Sequence, residues 1–148
     1  MSLGSGGGGV FRLGVPFGHL PLTFLFLSAD IEQIISDFYK RLINDESMYL
    51  FFKEIVEKGL LEHHLAVIVD FWEDLLFHSH KYKNNPMKKH LDFHKRINFK
   101  KNHFNLWLQY LSETIDESFQ GITAENMKTR ATSIAMVMQV KMNLYSDS

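Results

Sequence analysis

One segment of this chain, residues 85–91 (NPMKKHL), carries the side chains best suited to binding a metal cofactor. Pro86 disfavours a helix before it and has no N–H to donate, but it fits the first turn of a new helix. His90 then lies about one turn inside that helix, with Met87 and Leu91 beside it on an apolar face. A neutral imidazole in such a position is typical of an axial ligand to haem iron.

Basic residues crowd around His90. They are Lys81, Lys83, Lys88, Lys89, Lys95, Arg96, Lys100 and Lys101. The ordinary interpretation is a solvated loop or helix face, and the functional one is a cationic rim for an anionic ligand such as the propionates of haem. The net charge of −1 gives the chain as a whole no electrostatic attraction to nucleic acid or to a membrane surface.

Three further polar side chains, Tyr39, His64 and Trp107, share the apolar faces of predicted helices. Tyrosine and tryptophan are normally buried where the hydroxyl or the indole N–H has a hydrogen-bond partner, and a buried group without one costs about 1–3 kcal/mol. Each of these residues could bond to a nearby backbone carbonyl. A shared ligand, such as haem carrying a diatomic gas, would satisfy all of them together with His90.

Four long helices are predicted to position these residues, because apolar residues repeat with helical spacing at 31–42, 64–75, 104–115 and 127–142. We expect Asp30 to cap the first helix, Gly59 to precede the second and Thr123 to cap the last. Residues 48–52 predict a short helical turn or corner, and His90 a second short helix. Since no segment alternates as a half-buried strand does, the chain is predicted to be all-α.

The composition limits the remaining possibilities. A chain of 148 residues is expected to form one domain, and without cysteine it has no disulfide, thiolate metal site or cysteine nucleophile. The lack of cysteine fits a cytoplasmic location. Serine-protease triads, phosphate-binding loops and zinc-hydrolase motifs are absent from the sequence.

Residues 1–27 differ from the rest in composition, being rich in glycine and serine up to residue 9 and apolar with several Gly and Pro thereafter. We expect a flexible or non-native N-terminal extension here, and a domain over residues 28–148. A cleaved signal peptide is the alternative, with residues 20–27 as its apolar run. That run is too short to cross a bilayer, and no later segment approaches a transmembrane helix.

Seven short motifs resemble the group III truncated haemoglobins, in the same order and with matching spacings from about Ser28 to Met142. They are DFY at 37–39, FF at 51–52, EHH at 62–64, FW at 71–72, YKNNPMKKH at 82–90, HFNLWL at 103–108 and RATSIA at 130–135. The resemblance implies a shortened globin fold, in which two antiparallel helix pairs cross over a haem. The family usually has Gly where Asn84 stands, and Asn tolerates the same positive φ.

On the haem itself, the resemblance implies a haem b group whose iron is bound by His90. Phe52 matches the aromatic residue that stacks on the haem, and Met87 lies beside His90 in the same motif. Tyr39, His64 and Trp107 match the distal pocket residues, with Tyr39 and Trp107 as hydrogen-bond donors to the gas.

His64 rather than His63 is the distal match, because it keeps the family's spacing to Trp72 and lies on the apolar stripe of its helix. His63 then points to solvent or to the haem edge. A second possibility is that His64 itself occupies the sixth position of the iron in the protein without a gas.

The function implied by this resemblance is a globin that binds oxygen, nitric oxide and carbon monoxide. Two or three donors hold oxygen tightly, which suits oxidation of nitric oxide or peroxide chemistry better than transport. We expect a monomer, a reductase partner that keeps the iron ferrous, and neither nucleic acid nor membrane as a partner.

Two alternatives of other classes stay open. One is a non-haem metal site built from His63, His64, His78 and His80, although the chain lacks the paired Glu-x-x-His helices of a di-iron bundle. The other is a ligand-free helical interaction domain, in which the aromatic residues are simply core. Haem content distinguishes both from the globin.

Overall fold

The structure, a computed structural model, describes residues 22–25, 27–79 and 99–142. Within these ranges the helices are α1 (Ser28–Asn44), α2 (Glu46–Tyr49), α3 (Lys53–Glu57), α4 (Leu61–Phe77), α5 (Lys101–Ser118) and α6 (Ile122–Lys141). Two short strands, β1 (Thr23–Phe24) and β2 (Phe119–Gln120), pair in parallel. The all-α prediction is confirmed, because strands of two residues are a small addition to four long helices and are too short to show any alternation.

Helix α1 lies at the centre of the packing, since it contacts both α4 and α5, and α6 packs on α5 and on α4. Its buried side chains coincide with the apolar stripe that the sequence predicts. They are Ile31, Ile34, Ile35, Phe38, Tyr39 and Leu42. This face places Tyr39 inside the domain, between the helices that carry His64 and Trp107.

The start of α1 differs from the expectation in one detail. The helix begins at Ser28, so Asp30 is not the cap but the third helical residue, where its carboxylate accepts the backbone N–H of Leu27 at 2.8 Å. The acidic side chain still satisfies an amide at the positive end of the helix dipole. The Ser28 hydroxyl in turn donates to Glu73 of α4, a carboxylate that is buried.

Gly121, rather than Thr123, precedes the last helix, so the expected Thr123 cap is wrong. Gly121 has φ 101° and ψ −175°, a backbone conformation that is essentially restricted to glycine, and it turns the chain from β2 into α6. The ring of Phe24 in β1 lies directly over it: a Cβ atom at residue 121 would be 2.6 Å from Phe24 Cδ1. The parallel pairing of β1 with β2 brings these two residues together.

The predicted corner at residues 48–52 is confirmed as α2 and the turn that follows it. Asp45 caps α2 by accepting the backbone N–H groups of Ser47 and Met48, and its second oxygen accepts the Tyr110 hydroxyl at 2.6 Å. Phe51 and Phe52 follow, both buried. Helix α3 was not predicted, because it buries no residue and therefore shows no apolar stripe.

Several predictions concern residues outside the described ranges. These are the short helix with Met87 and His90, the loop residue Asn84, and residues 1–21 of the proposed extension. The boundary between residues 27 and 28 stays a prediction, although Leu25 is buried and β1 pairs with β2. Among the helices that the structure does describe, none combines the length and the apolarity needed to cross a bilayer.

Candidate functional site

The site is centred on Tyr39 of α1 and His64 of α4, whose Oη and Nε2 atoms lie 3.0 Å apart. Tyr39 is buried, and this burial raises the pKa of its hydroxyl well above the ordinary value. The hydroxyl therefore keeps its proton at neutral pH and can donate to the imidazole nitrogen or to a ligand. His64 is half-buried and lies one turn into α4, where the helix faces α1.

Aromatic rings surround this pair. The Phe52 ring meets Tyr39 edge-on, with ring centroids 5.2 Å apart, and lies 6.5 Å from the ring of His64. Phe38 also meets Tyr39 edge-on, with ring centroids 5.5 Å apart. Three of the residues that the sequence assigns to the site are thus in one cluster: Tyr39, Phe52 and His64.

Trp107 of α5 joins the cluster through Phe38, whose ring lies 5.8 Å from the indole. The Trp107 side chain is half-buried, and its indole N–H has no hydrogen-bond partner among the described residues. A donor left unpaired in an aromatic surrounding is costly unless water or a ligand accepts its hydrogen bond. Trp107 therefore has a donor that is available to a ligand.

Two small cavities adjoin these side chains. The first, of about 30 Å³, is lined by Tyr39, Phe51, Phe52, Phe99, Phe104, Trp107, Ala135 and Met138. The second, of about 40 Å³, is lined by Phe38, Tyr39, Ile68, Phe71, Trp72, Trp107, Ile134 and Met138. Both have Tyr39, Trp107 and Met138 in their walls.

These cavities and their donors fit the surroundings of a haem. Their walls are aromatic and aliphatic, as a porphyrin ring requires, and their polar groups are the protonated Tyr39 hydroxyl and the indole N–H of Trp107. His64 contacts Tyr39 without lining either cavity. Each volume is sufficient for one small molecule. A porphyrin is larger than either cavity, so neither space by itself would hold the ring.

The structure does not test the residues predicted to hold the iron, because His90 and Met87 lie outside the described ranges. The alternative of a non-haem metal site receives no support: among the residues described, no group of three or more His, Cys, Asp or Glu could hold a metal ion. His63, His64 and His78 are part of that search, whereas His80 is not described.

Phe99 is a residue of the cavity wall that sequence reasoning missed. It lies in the basic stretch 95–102, which was expected to be a break between helices, yet it is buried and stacks on Phe51 and Phe104, with centroids 4.3 and 4.6 Å away. Ile97 and Phe99 are the two apolar residues of this basic stretch, and two residues are too few to show a helical periodicity that would indicate burial. Met138, which lines the same cavity, did lie on the predicted apolar face of the last helix.

The sequence profile of the bacterial-like globin family matches residues 26–145. The chain therefore belongs to the bacterial-like globins. Its fold is similar to that of the group III truncated haemoglobin from Campylobacter jejuni, with a TM-score of 0.75 at 24% sequence identity, over 86% of this chain and 98% of that one. A search of curated proteins found no match.

Family and fold together identify a haem-binding globin of the truncated type. The truncated globin fold predicted from the seven motifs is thereby confirmed. A ligand-free helical interaction domain is the less favoured alternative, because the family that the chain matches is one of globins.

Proposed function

We propose that this protein binds haem b through His90 and holds oxygen, and also nitric oxide and carbon monoxide, in a polar distal pocket formed by Tyr39, His64 and Trp107. The observation that carries the proposal is the 3.0 Å contact of the Tyr39 hydroxyl with His64, next to an indole N–H without a described partner. Haem supplies an iron atom to which a diatomic gas binds. The specificity and the strength of binding come from the protein.

Tyr39 and Trp107 act as hydrogen-bond donors to the gas. The buried hydroxyl keeps its proton, and the indole N–H cannot lose its own at neutral pH, so both present a positive hydrogen to the partly negative oxygen. In such an apolar surrounding each bond is worth about 1–3 kcal/mol, or about 5- to 150-fold in the dissociation rate. A pocket of this kind retains oxygen.

Retention of the gas favours chemistry over transport. We propose that the protein oxidises nitric oxide or activates peroxide, with Tyr39, His64 and Trp107 as the residues that contact the reacting gas. Phe52 and Met87 complete the haem contacts. A reductase that returns the iron to the ferrous state, a monomeric state and a cytoplasmic location belong to the same proposal.

The absorption spectrum tests this proposal directly. The purified protein is measured in the ferric state, after reduction, and after addition of carbon monoxide. We expect a Soret band that shifts with carbon monoxide and that is weakened or lost in His90→Ala, while His63→Ala, on the exposed side of α4, keeps it. If haem added in excess produces no Soret band, the proposal is wrong.

A further inference from the structure

His103 has a defined hydrogen bond at the start of α5. It is the third residue of that helix, and its Nδ1 atom accepts the backbone N–H of Lys100 at 2.9 Å. The first amides of a helix have no partner within the helix, so a side-chain acceptor at this position stabilises the helix start. Because Nδ1 accepts a hydrogen bond here, it carries no proton of its own, and the bond exists only while the imidazole is neutral.

The same imidazole packs against the wall of the first cavity. Its ring meets Phe51 edge-on at 4.6 Å and Phe99 edge-on at 5.7 Å. Phe51 and Phe99 are stacked on each other, and both line the cavity beside Tyr39 and Trp107. His103 therefore connects the start of α5 with two aromatic side chains of the candidate haem pocket, although it does not line the cavity.

The surroundings of His103 oppose its protonation. Partial burial, followed by the positive charge of Lys100, lowers the pKa of the imidazole, while the negative charge of Asp45 raises it by less. Among the described residues these are the charged groups acting on the ring, and Tyr110 modifies one of them by donating to Asp45. The positive end of the α5 dipole also disfavours a cation at this position.

Protonation would change the geometry of the helix start. A proton on Nδ1 turns this acceptor into a donor, which then faces the N–H donor of Lys100, so the bond is lost and the two groups repel. The ring must move away, and the edge contacts with Phe51 and Phe99 are lost with it.

We propose that His103 is a positioning residue for the haem pocket: in its neutral form it holds Phe51 and Phe99 in the pocket wall, and its protonation releases them. The pocket therefore loosens as acid protonates His103, and it loses haem faster. This inference rests on the proposed haem function.

Two substitutions separate the two actions of the imidazole. His103→Phe keeps a ring against Phe51 and Phe99 but has no acceptor for Lys100, and it cannot be protonated. His103→Gln keeps an acceptor for the helix start at every pH but has no ring. The matched control is His63→Gln, which removes an exposed histidine from the middle of the first turn of α4.

The measurement is the rate of haem transfer to an excess of an apoglobin acceptor between pH 8 and pH 5. For the wild type and for His63→Gln we expect the rate to rise by about five-fold toward acid pH, the factor equivalent to one helix-capping hydrogen bond. His103→Phe should lose this rise, and His103→Gln should lose haem faster at pH 8 with little further change in acid. If His103→Phe keeps the full acid rise of the wild type, the inference is overturned.

A second measurement does not require bound haem. In NMR spectra of the full chain, the Lys100 amide and the Phe99 ring protons should shift with the same midpoint as the His103 imidazole. Absence of a Soret band at every pH would overturn the haem function alone, whereas Lys100 and Phe99 signals that ignore the His103 titration would overturn the positioning role. If either His103→Phe or His103→Gln does not fold, the remaining variant still tests the inference, because its rate of haem transfer should not increase toward acid pH as that of the wild type does.

Discussion

Tyr39 and His64 meet at 3.0 Å, and through this contact α1 and α4 hold each other's polar side chains in place at the candidate site. The contact gives the buried hydroxyl a partner, so that its burial is less costly than that of an isolated group. It also means that a gas ligand would compete with His64 for the Tyr39 proton, or share it. On the proposed function, the strength of gas binding would therefore depend on two helices rather than on one residue.

Tyr39→Phe should speed up the release of oxygen from the reduced, haem-loaded protein. The substitution keeps the ring contact with Phe52 but removes the donor, and a loss of about 1–3 kcal/mol corresponds to about 5- to 150-fold faster dissociation. Stopped-flow displacement of oxygen by carbon monoxide measures the rate. Tyr49→Phe, on α2, is the control and should change little; an unchanged rate in Tyr39→Phe would contradict the donor role.

The buried hydroxyl of Tyr39 should also make the protein sensitive to alkaline pH. Burial raises the pKa of Tyr39 in the folded state, so its contribution to stability is complete below the ordinary value of 10.0 and is lost as the pH rises above it. The free energy of unfolding should then fall by up to about 1.4 kcal/mol per pH unit on account of this group.

Urea unfolding at pH 8 and pH 11 tests this alkaline response. Between these two pH values the free energy of unfolding should decrease less in Tyr39→Phe than in the wild type. Part of the decrease should persist in the variant, because the hydrogen bond to Asp45 raises the pKa of Tyr110 as well. An equally steep fall in Tyr39→Phe would show that Tyr39 ionises normally.

Asp45→Ala should destabilise the corner that carries Phe51 and Phe52. The carboxylate caps α2 and accepts the Tyr110 hydroxyl, and loss of a cap alone costs about 1–2 kcal/mol at neutral pH. Asp45→Asn retains the cap and should cost less, and Tyr110→Phe removes one bond. Urea unfolding at pH 7 ranks the three variants.

The same Asp45 variants should respond differently to acid. The hydrogen bonds from Ser47 and Tyr110 lower the pKa of Asp45 in the folded state. The ionised carboxylate therefore stabilises the fold at pH values above its ordinary pKa of 3.8, and this stabilisation is lost as the pH falls below 3.8. The difference in the free energy of unfolding between the wild type and Asp45→Asn should therefore become smaller as the pH is lowered from 7 to 3. A constant difference would mean that the charge of Asp45 does not matter.

Gly121→Ala should be more destabilising than Gly59→Ala. At residue 121 the positive φ costs about 1–3 kcal/mol for alanine, and the new Cβ would also collide with the ring of Phe24. At Gly59, φ is 69° and an added methyl group would meet no described atom within 4 Å beyond its chain neighbours. The only cost of alanine there is therefore the strain of its positive φ. Thermal unfolding of the two variants measures the difference.

A double variant separates the two terms at residue 121. Phe24→Ala combined with Gly121→Ala removes the collision but not the backbone strain. The double variant should therefore lose less stability than the two single substitutions would lose together. Strict additivity would show that the Phe24 ring does not press on residue 121.

The sequence by itself determined the long helices and the inward face of α1. Helical periodicity is a local property: residues three and four positions apart lie on one side of the helix wherever it packs. The stripe from Ile31 to Leu42 is accordingly buried as predicted. The choice of Tyr39, His64 and Trp107 as inward-facing polar residues also came from this spacing, together with the resemblance of their motifs to a globin family.

Only the tertiary structure decided which of these side chains touch. The Tyr39–His64 contact, the stacking of Phe99 on Phe51 and the burial of Glu73 next to Ser28 join residues far apart in sequence. Such contacts depend on how the helices cross and on the path of the connections, which leave no periodic signal in a single chain. For the same physical reason, the packing of Phe24 over Gly121 and the two-residue strands beside it became visible only once the chain was folded.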